Sequence, residues 1–203
     1  MLRFICDSGR VAVAGVVLTL GVMAGAGSAV AEHVINPANP QPKAEALKPG
    51  LAVNYYFSLV RTIRQLRGYA DPRKGDVGKP LPQLNYHTGY GNVLTTDRNI
   101  GVGAKIRGFI KFDKPGVYQL KINSNDGVQL YLSGKHIFED PVVHPDEMSD
   151  PLPIKVTTPG WYPILIWYFQ RKGTATLELY WQPPGATESV LVPASAFAHV
   201  PQD

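Results

Sequence analysis

The residues best suited to bind a ligand lie between Asn125 and Asp150. Asn125, Asp126 and Gly127 are consecutive, and an acidic loop with His144 near its centre follows at 139–150 (EDPVVHPDEMSD). The acidic members of this loop are Glu139, Asp140, Asp146, Glu147 and Asp150. Carboxylates and an imidazole can add metal or sugar ligands beside Asp126. The alternatives are that Asn125–Gly127 is only a turn, for which these residue types are favoured, and that the acidic loop is simply solvated.

Motifs typical of catalytic centres are missing from the sequence. The histidines are scattered and show no zinc-binding spacing; they are His33, His87, His136, His144 and His199. There is no Gly-x-Ser-x-Gly motif and no glycine-rich phosphate loop before a helix. Asp126 paired with Asp140 or Asp146 would suit glycoside hydrolysis only at the right separation, which a sequence does not give. We therefore expect a binding protein and not an enzyme.

The elements that must position these residues are predicted to be strands. Apolar residues alternate with polar ones at Tyr118–Ile122, Val128–Leu132 and Ala175–Trp181, as in strands with one buried face. Trp161–Gln170 is apolar almost throughout and suits a central strand. The turns between these runs are predicted at Lys114-Pro115-Gly116, Thr158-Pro159-Gly160 and Ser133-Gly134. This pattern predicts an all-β fold, an antiparallel sandwich of two sheets.

One segment departs from the alternation of strands. Phe57–Arg67 has Leu59, Ile63 and Leu66 at helical spacing, which predicts a short amphipathic helix packed on the sandwich. Residues 70–91 are rich in Gly and Pro and are predicted to form a long loop.

Sugars often stack on aromatic rings, and the candidates for exposed rings are Tyr86, Tyr90 and Tyr131. Trp161, Trp167 and Trp181 fall on strand patterns and are expected in the core.

The N-terminal part of the chain resembles an export signal. Arg3 and Arg10 precede an apolar run, and Ala29-Val30-Ala31 supplies the small residues of a cleavage site, which predicts a signal peptide over 1–31. Residues 32–49 are predicted to be a Pro-rich leader, and 50–203 the folded domain. Cys6, the single cysteine, lies in the predicted signal, so we expect neither disulfides nor thiolate metal sites in the domain. We expect a periplasmic or secreted protein without a stable membrane span after cleavage.

The charge of the chain bears on whether nucleic acid is a partner. The formal net charge of +4 is a mild imbalance and does not indicate nucleic-acid binding.

The middle and end of the chain resemble the protective-antigen domain family (the PA-14 domain). The run INSNDGVQLYLSGKHIFED at 122–140 is similar to the family's signature, in which a strand ends in a Ser-Asp-Asp-Gly-like turn. Further similar segments, in order, are Gly108–Ile110 with Lys114–Tyr118, Gly160–Ile164 with Tyr168-Phe169, and Leu177–Trp181 with Pro184-Gly185 and Val192-Pro193. The resemblance spans roughly residues 50–200. It implies a β-sandwich of the kind found in secreted glycosidases, adhesins and toxins, several of which bind carbohydrate.

The resemblance also implies a calcium site. In lectin-like members, two consecutive Asp joined by a cis peptide help to hold Ca²⁺, which in turn contacts the sugar. The matching positions here are Asn125 and Asp126, so one of the two carboxylates is replaced by an amide. Because calcium affinity falls as ligand charge is lost, we expect weak calcium binding at most. The loop Gln170–Gly173 corresponds to a ligand-side loop, but it lacks the Asn found there and offers Arg171 instead.

The predicted ligand-binding residues are Asn125, Asp126, Tyr131, His144 and Arg171, with Asn125 and Asp126 as the metal ligands. Three functions remain open. The first is an exported module that binds a glycan or polysaccharide, with Ca²⁺ as the one cofactor considered. The second is an interaction module for another envelope protein that does not bind sugar. The third, favoured least, is a glycan-active enzyme.

Overall fold

The computed structural model describes residues 32–71 and 75–201, so the predicted signal peptide lies outside the described residues. Strands dominate the described part of the chain, joined by one α-helix and two 3₁₀ turns. The strands are β1 His33–Ile35, β2 Lys48–Pro49, β3 Ala52–Phe57, β4 Asp76–Val77, β5 Asn85–Thr88, β6 Val102–Phe112, β7 Gly116–Asn125, β8 Val128–Leu132, β9 Lys135–Asp140, β10 Glu147–Met148, β11 Leu152–Val156, β12 Gly160–Gln170, β13 Ala175–Gln182, β14 Val190–Leu191 and β15 Phe197–His199. The helix is α1 Ile63–Tyr69, and the 3₁₀ turns are Ala44–Ala46 and Ala194–Ala196.

The strands form two sheets, which confirms the predicted all-β sandwich. The smaller sheet has seven strands in the order β1-β11-β7-β13-β14, with β10 also paired to β7 and β5 to β13. The larger sheet has eight strands in the order β2-β15-β6-β12-β8-β9, with β3 paired to β6 and β4 to β3. All pairs are antiparallel except β1 with β11.

The core lies between the two sheets and follows from the alternation in the sequence. Leu120 of β7 and Leu177 of β13 face Ile106 of β6 and Leu130 of β8 in one buried cluster. The long apolar strand β12 runs between β6 and β8, as predicted for a central strand. Apolar side chains removed from water in this way stabilise the fold by roughly 25 cal/mol per Å².

The predicted turns lie between strands as expected. The Lys114-Pro115-Gly116 segment joins β6 to β7, and Thr158-Pro159-Gly160 joins β11 to β12. Ser133 and Gly134 connect β8 to β9 with φ values of 50° and 76°. Two positive φ angles are what a two-residue hairpin needs in order to follow the twist of its strands.

The helix is shorter and begins later than the predicted span Phe57–Arg67. Phe57 continues β3, because it pairs with Val102 of β6, and Leu59 is 52% exposed in the connecting loop. The helix begins after Thr62, whose side chain caps it by accepting a hydrogen bond from the Gln65 N–H. Ile63 and Leu66 are buried against the outer face of the large sheet. Among the described residues, no helix is both long and apolar enough to cross a membrane.

The predicted leader is part of the sandwich. His33–Ile35 pairs in parallel with β11, and Ile35 is fully buried in the core. Lys48 and Pro49 pair with β15. The sequence of 32–49 does not reveal these strands, because a strand of two or three residues is too short to show the alternation of apolar and polar residues.

Candidate functional site

The peptide bond between Asn125 and Asp126 is cis. It lies where β7 ends and turns into β8, at one end of the sandwich. Asn125 is 5% exposed and Asp126 is 3% exposed, so this is a buried corner of the fold. Both side chains make specific contacts to other loops, beyond the turn itself.

Asp126 ties two loops to this corner. Its Oδ2 accepts a hydrogen bond of 2.6 Å from the backbone N–H of Arg171, which follows β12. The backbone N–H of His144, in the acidic loop, lies near this carboxylate. Burial raises the pKa of Asp126 above its ordinary value of 3.8, and the nearby backbone N–H groups and side chains of Arg171 and His144 partly oppose that rise.

Asn125 belongs to a row of polar residues that crosses three strands. Thr176 of β13 pairs with Asn125 on one side and with His87 of β5 on the other. Directly paired residues share a face of the sheet, and the next residues along, Ser124 and Leu177, face the core. The row therefore lies on the outer face of the small sheet.

Asp146 of the acidic loop lies over this row. Its Oδ1 accepts hydrogen bonds of 2.9 Å from the Asn125 amide and 2.9 Å from the Thr176 hydroxyl. Its Oδ2 lies 3.6 Å from His87 Nδ1. The side chains of Asp146 and His87 are 38% and 62% exposed. This polar pair therefore faces the solvent, while Asn125 and Thr176 hold Asp146 from the sheet. We call Asn125, Asp126, Asp146, Thr176 and His87 the corner site.

A small cavity of about 120 Å³ adjoins the corner site, lined in part by His87, Thr176 and Tyr86. A larger cavity of about 310 Å³ is lined by Tyr55, Tyr56 and Tyr69 and contains none of the corner residues. We place the candidate glycan site at the smaller cavity, because two corner-site residues, His87 and Thr176, line it.

Four of the five residues predicted to bind a ligand come together here. Asn125, Asp126, His144 and Arg171 meet around the cis peptide. Arg171 contributes its backbone N–H, while its Nε is buried and has no hydrogen-bond partner among the described residues. Tyr131 is instead on the outer face of the large sheet, where its hydroxyl accepts a hydrogen bond from Arg67 (3.3 Å).

Sequence reasoning missed three members of this arrangement. They are His87, Thr174 and Thr176, of which Thr174 accepts the second hydrogen bond of the Asn125 amide at 2.8 Å. His87 and Thr176 are separated from Asn125 by 38 and 51 positions in the chain. The one available signal was the alternation of β13, which puts Thr176 on the polar face of its strand.

The arrangement of Asn125 does not fit the calcium site that the resemblance implies. The amide donates to Asp146, the carboxylate best placed to be an additional calcium ligand, and to Thr174. Asp126 provides the carboxyl group of the pair, but its Oδ2 is already hydrogen-bonded to a backbone N–H. Calcium needs six to eight oxygen ligands. The Asn125 amide instead presents an N–H group to Asp146 Oδ1. The contacts of Asn125 Nδ2 and Asp126 Oδ2 therefore leave the Oδ1 atom of each side chain as what this pair could offer to calcium.

Comparison with solved structures places the fold. The PA14 domain of the antifreeze protein MpAFP superposes with a TM-score of 0.65 at 14% identity, covering 80% of this chain and 97% of that one. A PA14 sugar-binding domain from an RTX adhesin gives 0.60 at 16% identity, covering 74% and 98%. The Epithelial Adhesin 9 A domain from Candida glabrata, solved with Galβ1-3GlcNAc, gives 0.59 at 15% identity, covering 83% and 97%.

Sequence comparison agrees with the structural one. No curated protein matches the chain significantly. The family model described as the PA14 domain matches residues 96–194, which run from the loop before β6 to the 3₁₀ turn after β14 and include the cis peptide and most of the corner site. The resemblance of the strand and turn motifs to the protective-antigen family is thereby confirmed, and residues 96–194 of this chain match the PA14 domain.

Proposed function

We propose that this chain is an exported carbohydrate-binding module that holds its glycan at the corner site. The observation that carries the proposal is the fixed, half-exposed carboxylate of Asp146. Asn125 and Thr176 hold its Oδ1, so its Oδ2 is left at the surface beside His87. A sugar hydroxyl that donates to such a carboxylate makes a charge-assisted hydrogen bond, and the prior fixation of Asp146 lowers the entropic cost of binding.

The solved neighbours support a glycan as the ligand. One is titled as a sugar-binding domain and another was solved with Galβ1-3GlcNAc. The loop after β5 adds an apolar surface, because Tyr90 is 82% exposed there and can stack on a sugar ring. Residues 1–31 support export, since they have the charged start, apolar run and small residues of a signal peptide.

The proposed binding does not depend on calcium. Asp146 and His87 contact the sugar directly, and the Asn125 amide takes the position where a second charged oxygen ligand would be needed. Glycan affinity should therefore be the same in EDTA and in millimolar Ca²⁺.

A glycan array that includes Galβ1-3GlcNAc and lactose tests the proposal, followed by titration of the best ligand. We expect Asp146→Asn and His87→Ala each to weaken binding by roughly 10- to 100-fold, since a hydrogen bond to a charged group contributes about 1.5–3 kcal/mol. The control is Glu178→Gln, two residues from Thr176 on the same outer face, where Glu178 accepts from Asn123 (2.9 Å). It should leave affinity unchanged.

Two results would contradict the proposal. An array that stays blank with and without Ca²⁺, together with a protein partner that co-purifies, would favour the envelope-interaction alternative. Glycan binding that survives both substitutions would place the sugar elsewhere on the domain. Export is tested separately by N-terminal sequencing of the protein from its native cells, which should begin at Glu32.

A further inference from the structure

A second group of side chains lies next to the corner site and is not used by it. Asp140 is the last residue of β9, His144 lies in the connecting loop, and Glu147 is the first residue of β10. One ligand atom from each of the three lies within 4.8 Å of the other two. β9 belongs to the large sheet and β10 to the small one, so the group is held from both layers of the sandwich.

The imidazole of His144 is buried and points a nitrogen at this group. Its side chain is only 8% exposed. Nδ1 lies 2.7 Å from the backbone carbonyl of Pro145. A carbonyl only accepts hydrogen bonds, which assigns the proton of a neutral imidazole to Nδ1 and leaves a lone pair on Nε2. Among the described residues, Nε2 has no hydrogen-bond partner.

The nearest charged atom to Nε2 is a carboxylate oxygen. Asp140 Oδ2 lies 3.4 Å from Nε2, which is an ion-pair distance without hydrogen-bond geometry. A buried lone pair facing a negative oxygen is unfavourable unless a positive charge stands between or beside them. That charge is either a proton on Nε2 or a metal ion bound by both residues.

The spacing and the donor types suit a metal ion. Zn²⁺ binds imidazole nitrogen and carboxylate oxygen at about 2.0–2.2 Å, which puts neighbouring tetrahedral ligands about 3.3–3.5 Å apart. The Nε2 to Oδ2 distance of 3.4 Å falls in that range. The hydrogen bond of Nδ1 to a backbone carbonyl is the outer contact that orients metal-binding histidines. Calcium is disfavoured because it prefers an all-oxygen set.

A path for the ion is also present. Asp140 and Glu147 line an open cleft of about 300 Å³ whose walls include Glu139 and Asp150. Such a concentration of carboxylates attracts cations and leaves room for water as a further ligand.

We infer that Asp140, His144 and Glu147 form a binding site for a divalent transition-metal ion of the zinc class, with a fourth position open to water. This site goes beyond the proposed glycan binding and is separate from it. The neighbouring residues Asp146 and Glu147 point to different groups, Asp146 to Asn125 and Thr176 and Glu147 to His144 and Asp140.

Calorimetric titration of the tag-free protein with Zn²⁺, after treatment with EDTA, tests the inference. We expect one ion per chain and a rise in Tm at saturating Zn²⁺, with no competition from millimolar Ca²⁺. Glu147→Gln and Asp140→Asn should each weaken Zn²⁺ binding by more than the roughly 10- to 100-fold that loss of an outer-shell partner costs. Glu139→Gln is the matched control, because Glu139 lies in β9 beside Asp140 but outside the group, and it should bind Zn²⁺ normally.

The two neighbouring acidic residues separate this site from the corner site. Asp146→Asn should keep Zn²⁺ binding while its glycan affinity falls by roughly 10- to 100-fold, and Glu147→Gln should keep its glycan affinity while its Zn²⁺ binding weakens. Crystals grown with Zn²⁺ should show an anomalous peak within about 2.2 Å of His144 Nε2. The inference is overturned if one chain takes up no Zn²⁺ at millimolar concentration, as an imidazolium paired with Asp140 predicts. It is equally overturned if uptake is unchanged in Glu147→Gln and Asp140→Asn, which would place the ion at another histidine.

Discussion

The amide of Asn125 donates a hydrogen bond of 2.9 Å to the carboxylate of Asp146, 21 residues away in the chain. This contact joins the cis-peptide corner to the acidic loop and leaves the second oxygen of Asp146 at the surface. An aspartate in place of Asn125 would put two negative groups in contact, which is favourable only with a cation between them. At this contact the Asn125 amide thus supplies the N–H partner that the Asp146 carboxylate would otherwise need from a cation.

Asn125→Asp is expected to create a dependence on calcium. Without Ca²⁺ the variant should lose about 1–3 kcal/mol in free energy of unfolding, because two hydrogen bonds disappear and two carboxylates face each other. Ca²⁺ at about 100 times its Kd should restore about 2.7 kcal/mol, while the unchanged protein should show no calcium-dependent shift. Thermal unfolding with EDTA and with Ca²⁺ measures both effects.

Asn123→Asp is the matched control for this prediction. Asn123 also donates to a carboxylate, that of Glu178, at 2.9 Å on the same outer face. The control should lose stability in the same way. It should not recover that stability with calcium, because the residues next to Asn123 are Ile122 and Ser124, and neither carries a carboxylate as Asp126 does next to Asn125. Equal recovery in both variants would mean that calcium acts through general charge screening.

Asp126 should make stability depend on pH in a defined direction. Burial raises its pKa in the folded protein above the ordinary value of 3.8, so the folded state holds the proton more tightly than the unfolded state does. Its contribution to stability is therefore fully present below that value and is lost as pH rises through the folded-state pKa. Asp126→Asn should remove this part of the pH dependence, so the stability of the original chain relative to the variant should fall as pH rises.

Chemical denaturation of both proteins between about pH 3 and 7 provides the measurement. A substitution that merely loses hydrogen bonds shifts stability by the same amount at every pH. Parallel curves would therefore show that Asp126 is not the titrating group.

Tyr90 should matter for glycan binding but not for stability. Its side chain is 82% exposed on the loop after β5, so Tyr90→Ala removes little buried surface. If Tyr90 stacks on a sugar as strongly as two aromatic rings stack on each other, at about 0.5–1.5 kcal/mol, its loss should weaken glycan affinity by about two- to tenfold at unchanged Tm. Tyr69→Ala is the control, because Tyr69 is 57% exposed on α1, at the outer face of the other sheet. Equal losses of affinity in the two variants would contradict the assignment.

The predicted leader should contribute to folding through Ile35. This side chain is fully buried, whereas its neighbour Val34 is 43% exposed. Ile35→Ala should cost about 2–5 kcal/mol in free energy of unfolding, as truncations in a packed core do, and Val34→Ala should cost much less. If the two variants unfold alike, the strand β1 is not docked in solution.

Much of the fold could be predicted from short stretches of sequence. The alternation of Tyr118–Ile122 and Ala175–Trp181 gave strands with the expected buried faces, because side-chain direction in a strand is a local property. Ser133-Gly134 gave the hairpin between β8 and β9 for the same reason. The helix was misplaced at its start, because the pairing of Phe57 with Val102 outweighs the helical spacing of Leu59.

By itself, the sequence determined the sandwich class, the position of the Asn125-Asp126 turn and the gathering of acidic residues around His144. Tertiary structure decided what those residues touch. His87, Thr176 and Asn125 lie in one row only because β5, β13 and β7 are neighbours in the small sheet. Asp146 and Glu147 separate into two sites because β10 fixes one end of their loop. Strand order depends on non-local pairing across the whole core, and this is why residues far apart in the chain form the corner site.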